Sequence, residues 1–454
     1  MKAAKKTVPE TPPLVPDGSS LATTDLLSPF VRAHASDTKV SMGYEMKSLR
    51  LLDGGLTYYD RGIKPLLLAL GGRTGLAPTM ANFILVGLDH PDGNISYGPG
   101  GQVRVDTPFV ASIDEGALHL RRQLELLMTV GASLGLTFAT VGFHPDRDPA
   151  QVPIVTKLHY PIMLQRFKKT GARGLSVLTS AVQCSIKISV SSEADFADKM
   201  RVGVAVAPYL VAAFANSPIE RGKPAGALSV RGLSWLDVDR ARTALFLETF
   251  QPDFGYDRYA RWALSVPALG LLRSGRAIDT QDRSFGECLV HHNDGITPVV
   301  DDWRAHLDTL YPAVRWNDGV ELRCVDAGTP EHALALAALW KGLLATDGAR
   351  KAVLKELTPN GPSHARLLQK AARSGLFAAG DHGSTLQVMR RLSAIAARFL
   401  PRSEQHWLSP LNAALRDGLC PADELLERFT SFSSTHQLLL AFRPSLDGWG
   451  EDFA

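Results

Sequence analysis

The chain has 454 residues, a formal net charge of +3 and 21% charged residues. That length suits one large or two ordinary domains with a sizeable core, and the near balance of charge excludes a basic nucleic-acid face. The four cysteines, Cys184, Cys288, Cys324 and Cys420, share no CxxC spacing, which excludes a zinc knuckle and a disulfide frame and reads as free thiols in a reducing compartment.

Residues 1–20 are rich in Lys, Pro and Ser without periodicity, and read as a disordered tail. They hold no apolar segment of the kind a signal peptide needs. The longest apolar run, Val202 to Ala215, is too short for a bilayer and contains Pro208. A soluble, cytoplasmic protein without membrane or nucleic-acid partners is expected.

Lys39 to Leu52 reads as a strand, with Glu45 and Lys47 two apart and so on one face. An amphipathic helix is expected near Gly62–Gly71 and a short buried strand at Phe83–Gly87. Residues 93–106 read as strand, tight turn at Pro99-Gly100-Gly101, strand, with Tyr97, Arg104 and Asp106 as its polar points. Ser112 and Glu115 have capping-box spacing, and Leu118, Leu124, Leu127, Val130 and Leu134 continue a long helix. Leu136 to Phe143 reads as a strand ending at His144-Pro145.

Residues 146–160 are expected to form a loop holding Lys157, His159 and Tyr160, followed by a helix from Pro161. Residues 176–190 alternate as a strand does. Ser185, Lys187 and Ser189 then share one face, against Cys184, Ile186 and Ile188 on the other. Two readings stay open for that strand: one wall of a polar cleft, or an edge strand guarded by a solvated lysine. Ser192 and Asp195 open a helix of about twenty residues, through Phe214.

Phe214–Thr243 is the densest stretch. Turn residues (Asn216, Pro218, Gly222, Gly226) hold Lys223, Arg231, Trp235, Asp237, Asp239, Arg240 and Arg242. Such a run is either a substrate loop on a rigid scaffold or an ordinary charged surface loop. Further helices are expected from Tyr256 and over Pro298–Tyr311. Gly319–Val325 reads as a strand with Glu321 and Arg323 on one face, and the chain beyond Glu331 as helical. Strands and helices followed by helices alone give an α+β class: a body over 21–330 with a helical part, 331–454, packed on it. His291-His292 reads as a surface pair rather than a metal site.

Six stretches carry a family resemblance: PGGQ (Pro99–Gln102), SSEADF (Ser191–Phe196), FANSP with GKP (Phe214–Pro224), LSVRGLSWLDVDRART (Leu228–Thr243), HLDTLYPAVR (His306–Arg315) and VELRCVDAG (Val320–Gly328). In order and spacing the chain resembles the glutamate–cysteine ligases of plants and many proteobacteria, a family that includes the ligase of ergothioneine synthesis. The resemblance implies a glutamine-synthetase-like carboxylate–amine ligase fold, in which a curved, mainly antiparallel sheet forms a funnel flanked by helices. It also implies ATP, and Mg²⁺ held by glutamates. By the same resemblance Arg231, Trp235, Asp237, Arg242, Lys223 and Tyr160 are candidates for binding an amino-acid substrate. Arg104, Lys187 and Arg323 are the catalytic candidates, and Glu45 and Glu321 the candidate metal ligands.

The sequence departs from the family where metal is held. The family's first-strand Glu-x-Glu survives as Glu45 with Lys47 as its altered partner, or with Gly43 if the register slips by two. The glutamate before PGGQ is Gly98, and the one after it is Arg104. Gln, Asn and Asp before SSEAD are Ser185, Lys187 and Ser189. Mg²⁺ wants oxygen ligands, so Lys47, Arg104 and Lys187 would repel it and attract an anion. Three functions follow as expectations. The first is a divergent amide-forming ligase acting on a glutamate-like amino acid with a degraded Mg-ATP site. The second is an inactive paralogue that binds an amino acid or anion, or serves as a partner ligase subunit. The third is an ordinary glutamate–cysteine ligase.

Overall fold

The computed structural model describes residues 14–446 apart from 16–17, 82–83, 153, 156–158, 274–275, 292–294 and 359. Phe83, Lys157 and His292 therefore lie outside the described residues, as does most of the segment read as a tail. Within that segment Leu14 is buried, and Ser20 donates from its backbone to Leu289 O (3.2 Å) and from its hydroxyl to Pro298 O (3.2 Å).

The centre is a nine-stranded sheet whose named neighbours all pair antiparallel. Its strands are β1 (Val40–Arg50), β2 (Ala77–Ala81), β3 (Ile84–His90), β4 (Gly93–Tyr97), β5 (Gln102–Asp106), β6 (Leu136–Ala139), β7 (Gln183–Ile188), β8 (Val314–Trp316) and β9 (Val320–Asp326). The spatial order is β8-β9-β7-β1-β5-β4-β3-β2. β6 shares β1 with β7: residues 40–44 of β1 pair with β7 and residues 47–50 with β6.

Period-2 alternation sorts the side chains by chemistry. Met42, Tyr44 and Met46 of β1, Val103 and Val105 of β5, Ile186 and Ile188 of β7, and Val320 and Leu322 of β9 are all buried in one continuous apolar core. Helices seal that face. α1 (Ile113–Ser133) packs on β1 and β5, α4 (Glu193–Ala213) on β9, and a later helix, α6 (Pro330–Leu344), on β1 and β7. Between α1 and α4 lie two shorter helices, α2 (His159–Thr170) and α3 (Gly174–Ser180), and α5 (Val230–Leu236) follows α4. α1 begins where Ser112 Oγ accepts from Glu115 N (3.1 Å), and α4 where Ser192 Oγ accepts from Asp195 N (3.2 Å), so the caps expected from sequence are formed.

Two expectations are corrected. The strand read over 176–190 is helix α3 up to Ser180, and β7 begins only at Gln183. The stretch 214–243 is mostly regular: a small hairpin at residues 219–224, helix α5 and a helical turn at Arg240–Thr243. The opposite, polar face of the sheet remains, and it carries the site.

Candidate functional site

The register brings the polar residues of four strands together. Glu45 of β1 lies opposite Arg104 of β5, Gly43 opposite both Asp106 and Ser185, and Glu321 of β9 opposite Lys187 of β7. Arg104 is the hub. Its Nε and Nη2 grip Asp106 at 2.7 and 2.6 Å, Nη1 donates to Glu45 Oε1 (3.1 Å), Nη2 donates to Ser185 Oγ (2.9 Å), and Glu321 Oε1 is 4.0 Å away. Burial opposes its charge, but Asp106, then Glu45 and Glu321, hold its pKa above the ordinary guanidinium value.

Beside Arg104 opens a cleft of about 290 Å³. Glu45, Arg104, Gln183, Arg231 and Arg323 supply its polar lining, and Tyr97, Tyr160, Met163, Trp235 and Tyr311 its walls. Gln183, the first residue of β7, bridges the two ends. It donates from N to Glu45 Oε2 (3.1 Å) and accepts at Oε1 from Arg231 Nη2 (2.7 Å) and Arg323 Nη2 (3.3 Å). Arg231 is 1% exposed, and its Nε and Nη1 have no hydrogen-bond partner among the described residues. Trp235 Nε1 is in the same state. Arg323 lies over the rings of Tyr311 (4.5 Å) and Trp235 (5.3 Å). Burial first, then the Arg315 charge, lowers its pKa to about 9.

Of the residues singled out in the sequence, the structure thus places Glu45, Arg104, Tyr160, Arg231, Trp235 and Arg323 on the cleft. Lys187 and Glu321 share the polar face of the sheet but are not among the lining residues. The other three are elsewhere. Lys223 is exposed in the small hairpin, and Asp237 is exposed at the end of α5. Arg242 is fully buried, donating to Asp239 Oδ2 (2.8 Å), Thr309 O (3.3 Å) and Pro267 O, so it ties the helical turn to the body. Lys47 is also structural. Its Nζ donates to Gly100 O and to Thr179 O (2.7 Å), which clamps the Pro99–Gln102 turn onto α3. Its burial is complete and lowers its pKa to about 7.

Tyr311, Met163 and Gln183 were missed. Gln183 shares the parity of Ser185 and Lys187, and Tyr311 falls inside the HLDTLYPAVR stretch, so both had a signal in the sequence.

The carboxylates do not fit a metal. Glu45 is engaged by Arg104 and Gln183, Asp106 by Arg104, and Glu321 Oε2 by Arg315 Nε (2.6 Å) and Asn317 Nδ2 (3.0 Å). Burial raises the pKa of Glu321, but Arg315, Lys187, Arg323 and Arg104 together hold it well below the usual carboxylate range. No group of three or more His, Cys, Asp or Glu among the described residues is arranged to hold an ion. No helix among them is long and apolar enough to cross a membrane.

The profile of the glutamate-cysteine ligase family 2 (GCS2) matches residues 72–439. The chloroplastic glutamate–cysteine ligase of Arabidopsis thaliana is 30% identical over 394 residues, covering 85% of this chain and 74% of that one. The chloroplastic glutamate–cysteine ligase B of rice, Oryza sativa subsp. japonica, is 29% identical over 395 residues, covering 85% and 78%. Among solved structures, the glutamate–cysteine ligase of Francisella tularensis in complex with AMP matches with a TM-score of 0.55 at 13% identity, covering 90% of this chain and 88% of that one.

Proposed function

This chain belongs to glutamate-cysteine ligase family 2, and we propose that it is a divergent carboxylate–amine ligase whose cleft takes a glutamate-like amino acid. The observation that carries the reading is Arg231. A buried guanidinium at a cleft wall, whose Nε and Nη1 make no hydrogen bond among the described residues and whose nearest carboxylate oxygen, Asp326 Oδ1, is 3.9 Å from Nη1, is expensive to leave so, and a ligand carboxylate would satisfy it. Trp235 offers a further donor, and Tyr311 and Tyr160 enclose the ligand's carbon chain. Arg323 supplies positive charge where a second carboxylate would lie, to hold and polarise it for attack by an amine. The ordinary Mg-ATP arrangement is not part of this reading, because the carboxylates that would hold metal are ion-paired. Cysteines outside any disulfide suit a reducing compartment such as the cytoplasm.

Calorimetry of the full chain with L-glutamate tests the binding step. Binding is expected in EDTA and is expected to be lost in Arg231→Gln. No binding, or equal binding by that variant, would overturn the assignment. With glutamate, cysteine, ATP and Mg²⁺, amide formation is expected well below the rate of about 1 s⁻¹ or more typical of enzymes.

The engagement of Glu45, Asp106 and Glu321 also favours a second reading, a non-catalytic paralogue that binds the same amino acid as a regulator or partner subunit. Glutamate binding with no amide product from any activated acyl donor would select it.

A further inference from the structure

We propose that the Arg104 guanidinium is a built-in replacement for a divalent cation, and that it makes this cleft blind to metal. The inference deepens the functional reading above by assigning the cation of the site, and it rests on the arrangement around one side chain.

Carboxylates from three different strands converge on Arg104: Asp106 from its own strand, Glu45 from β1 and Glu321 from β9. Carboxylate oxygens are the ligand type a hard divalent cation takes, but with Arg104 between them these three are not arranged to hold one. Here the space between them is filled by a planar cation that donates to two of them directly and also to Ser185 Oγ. The backbone is fitted to that occupant. A Cβ at Gly43 would overlap the Arg104 guanidinium and lie 2.6 Å from Ser185 Oγ, so a side chain there would displace the guanidinium. Gly43 does not have a positive φ, so conformational freedom does not explain it. The guanidinium carries less charge than a divalent ion. Arg315 makes up the difference at Glu321, with Lys187 opposite it in the sheet. Each carboxylate therefore has a cationic partner without any ion from solution.

The consequence is specificity. A metal–phosphate complex meets a fixed cation among the carboxylates, whereas a free carboxylate or phosphate group meets the guanidinium charge of Arg323 and Arg231 on the cleft wall. The ligand class of the cleft is therefore an uncomplexed anion.

Metal rescue tests this on the full chain, with Mn²⁺ and Mg²⁺ chlorides as probes and melting temperature and calorimetry as readouts. The parent is expected to melt at the same temperature with and without either ion. Arg104→Ala leaves Glu45, Asp106 and Glu321 facing one another, so it is expected to melt lower, to recover with Mn²⁺, and to bind Mn²⁺ at least about tenfold more tightly than the parent. Adding Glu45→Gln should remove that gain. Should Arg104→Ala fold only with Mn²⁺ present, that recovery supports the proposal. Arg104→Gln, which keeps an amide donor but no charge, repeats the titration. Equal Mn²⁺ affinity in parent and variants, or folded variants that gain none, would overturn it. The probes are metals alone, so failure of glutamate to bind would remove the functional reading and leave this result standing.

Discussion

Lys47 and Arg104 lie on the same polar face of the sheet, yet burial treats them oppositely. Arg104 is surrounded by carboxylates and stays charged. Among the described residues Lys47 donates to backbone carbonyls alone, and burial lowers its pKa from 10.5 to about 7. Between those two values the unfolded chain binds a proton that the folded chain does not. The stability contributed through Lys47 therefore rises with pH across that window and is flat and lowest below it. Relative to Lys47→Met, the parent is expected to gain stability from pH 7 to 10 by up to about 1.4 kcal/mol per pH unit. Urea unfolding of both proteins at stepped pH measures it, and parallel pH profiles would rule it out. Gly43 gives a second prediction at this scale. Gly43→Ala should displace the guanidinium and destabilise by about 1–3 kcal/mol. The control is Gly72→Ala, inside a helix with nothing within 4 Å of its Cβ, which should stabilise by about 0.5–1 kcal/mol.

The turn at Pro99–Gln102 shows how whole elements, rather than single residues, shape the cleft. Lys47, Ser48 Oγ on Gly101 O (2.6 Å) and Gln102 Nε2 on Ala181 O (3.0 Å) hold it against β1 and the end of α3. A Cβ at Gly100 would overlap Thr179 O and lie 2.6 Å from its Cα. Backbone cannot yield as a side chain can, so Gly100→Ala is expected to cost about 1–3 kcal/mol and to weaken glutamate binding as well. A variant that is destabilised but binds as the parent does would separate this turn from the cleft.

Much of this was legible beforehand. Period-2 spacing placed Glu45, Ser185, Lys187, Glu321 and Arg323 on shared faces, and residues 93–106 form the hairpin the glycines announced. The errors have physical causes. Ser176-Val177-Leu178-Thr179 breaks the alternation read over 176–190, and Val177 and Leu178 pack in a small cluster with Met163 and Phe167 of α2, a tertiary contact that favours a helix. Arg242 and Arg231 look alike in sequence. Only the fold shows that Arg242 is tied to Asp239 away from the cleft, while Arg231, 3.9 Å from Asp326, also lines it. The FANSP and VELRCVDAG stretches likewise prove to be anchors. Asp326 accepts from Asn216 N (2.9 Å), Ser217 Oγ (2.6 Å) and Ser229 Oγ (2.8 Å), which fixes the start of α5 and with it Arg231.

At the scale of the molecule the question is whether the helices after residue 330 form a unit of their own. Their packing argues against it. α6 lies on β1 and β7, on the face opposite the cleft, and Leu334, Leu339, Trp340 and Leu343 share one apolar core with Met42, Tyr44 and Ile186. α4 is sandwiched further out, with β9 on one side and later helices (Gly361–Ser374 and Thr385–Phe399) on the other. Removing the C-terminal helices would strip the apolar face of the sheet, at roughly 25 cal/mol for each Å² exposed. Polar ties cross the same boundary. Lys341 Nζ donates to Ala111 O (2.7 Å), and Trp407 Nε1 donates to Asp114 Oδ1 (2.7 Å). We therefore propose one cooperative body from residue 21 to the last described helices. Urea unfolding followed by tryptophan fluorescence and by far-ultraviolet circular dichroism is expected to give coincident transitions. The fluorescence sums seven tryptophans, with Trp235 and Trp316 at the cleft and the sheet edge and Trp340 and Trp407 in the C-terminal helices, while circular dichroism reads the helices of both parts. A chain cut after residue 330 should fail to give a cooperative transition. Two separated transitions in the full chain, or a cooperatively folding 21–330 fragment that still binds glutamate, would show that the helices are an appended domain and that the sheet covers its apolar face without them.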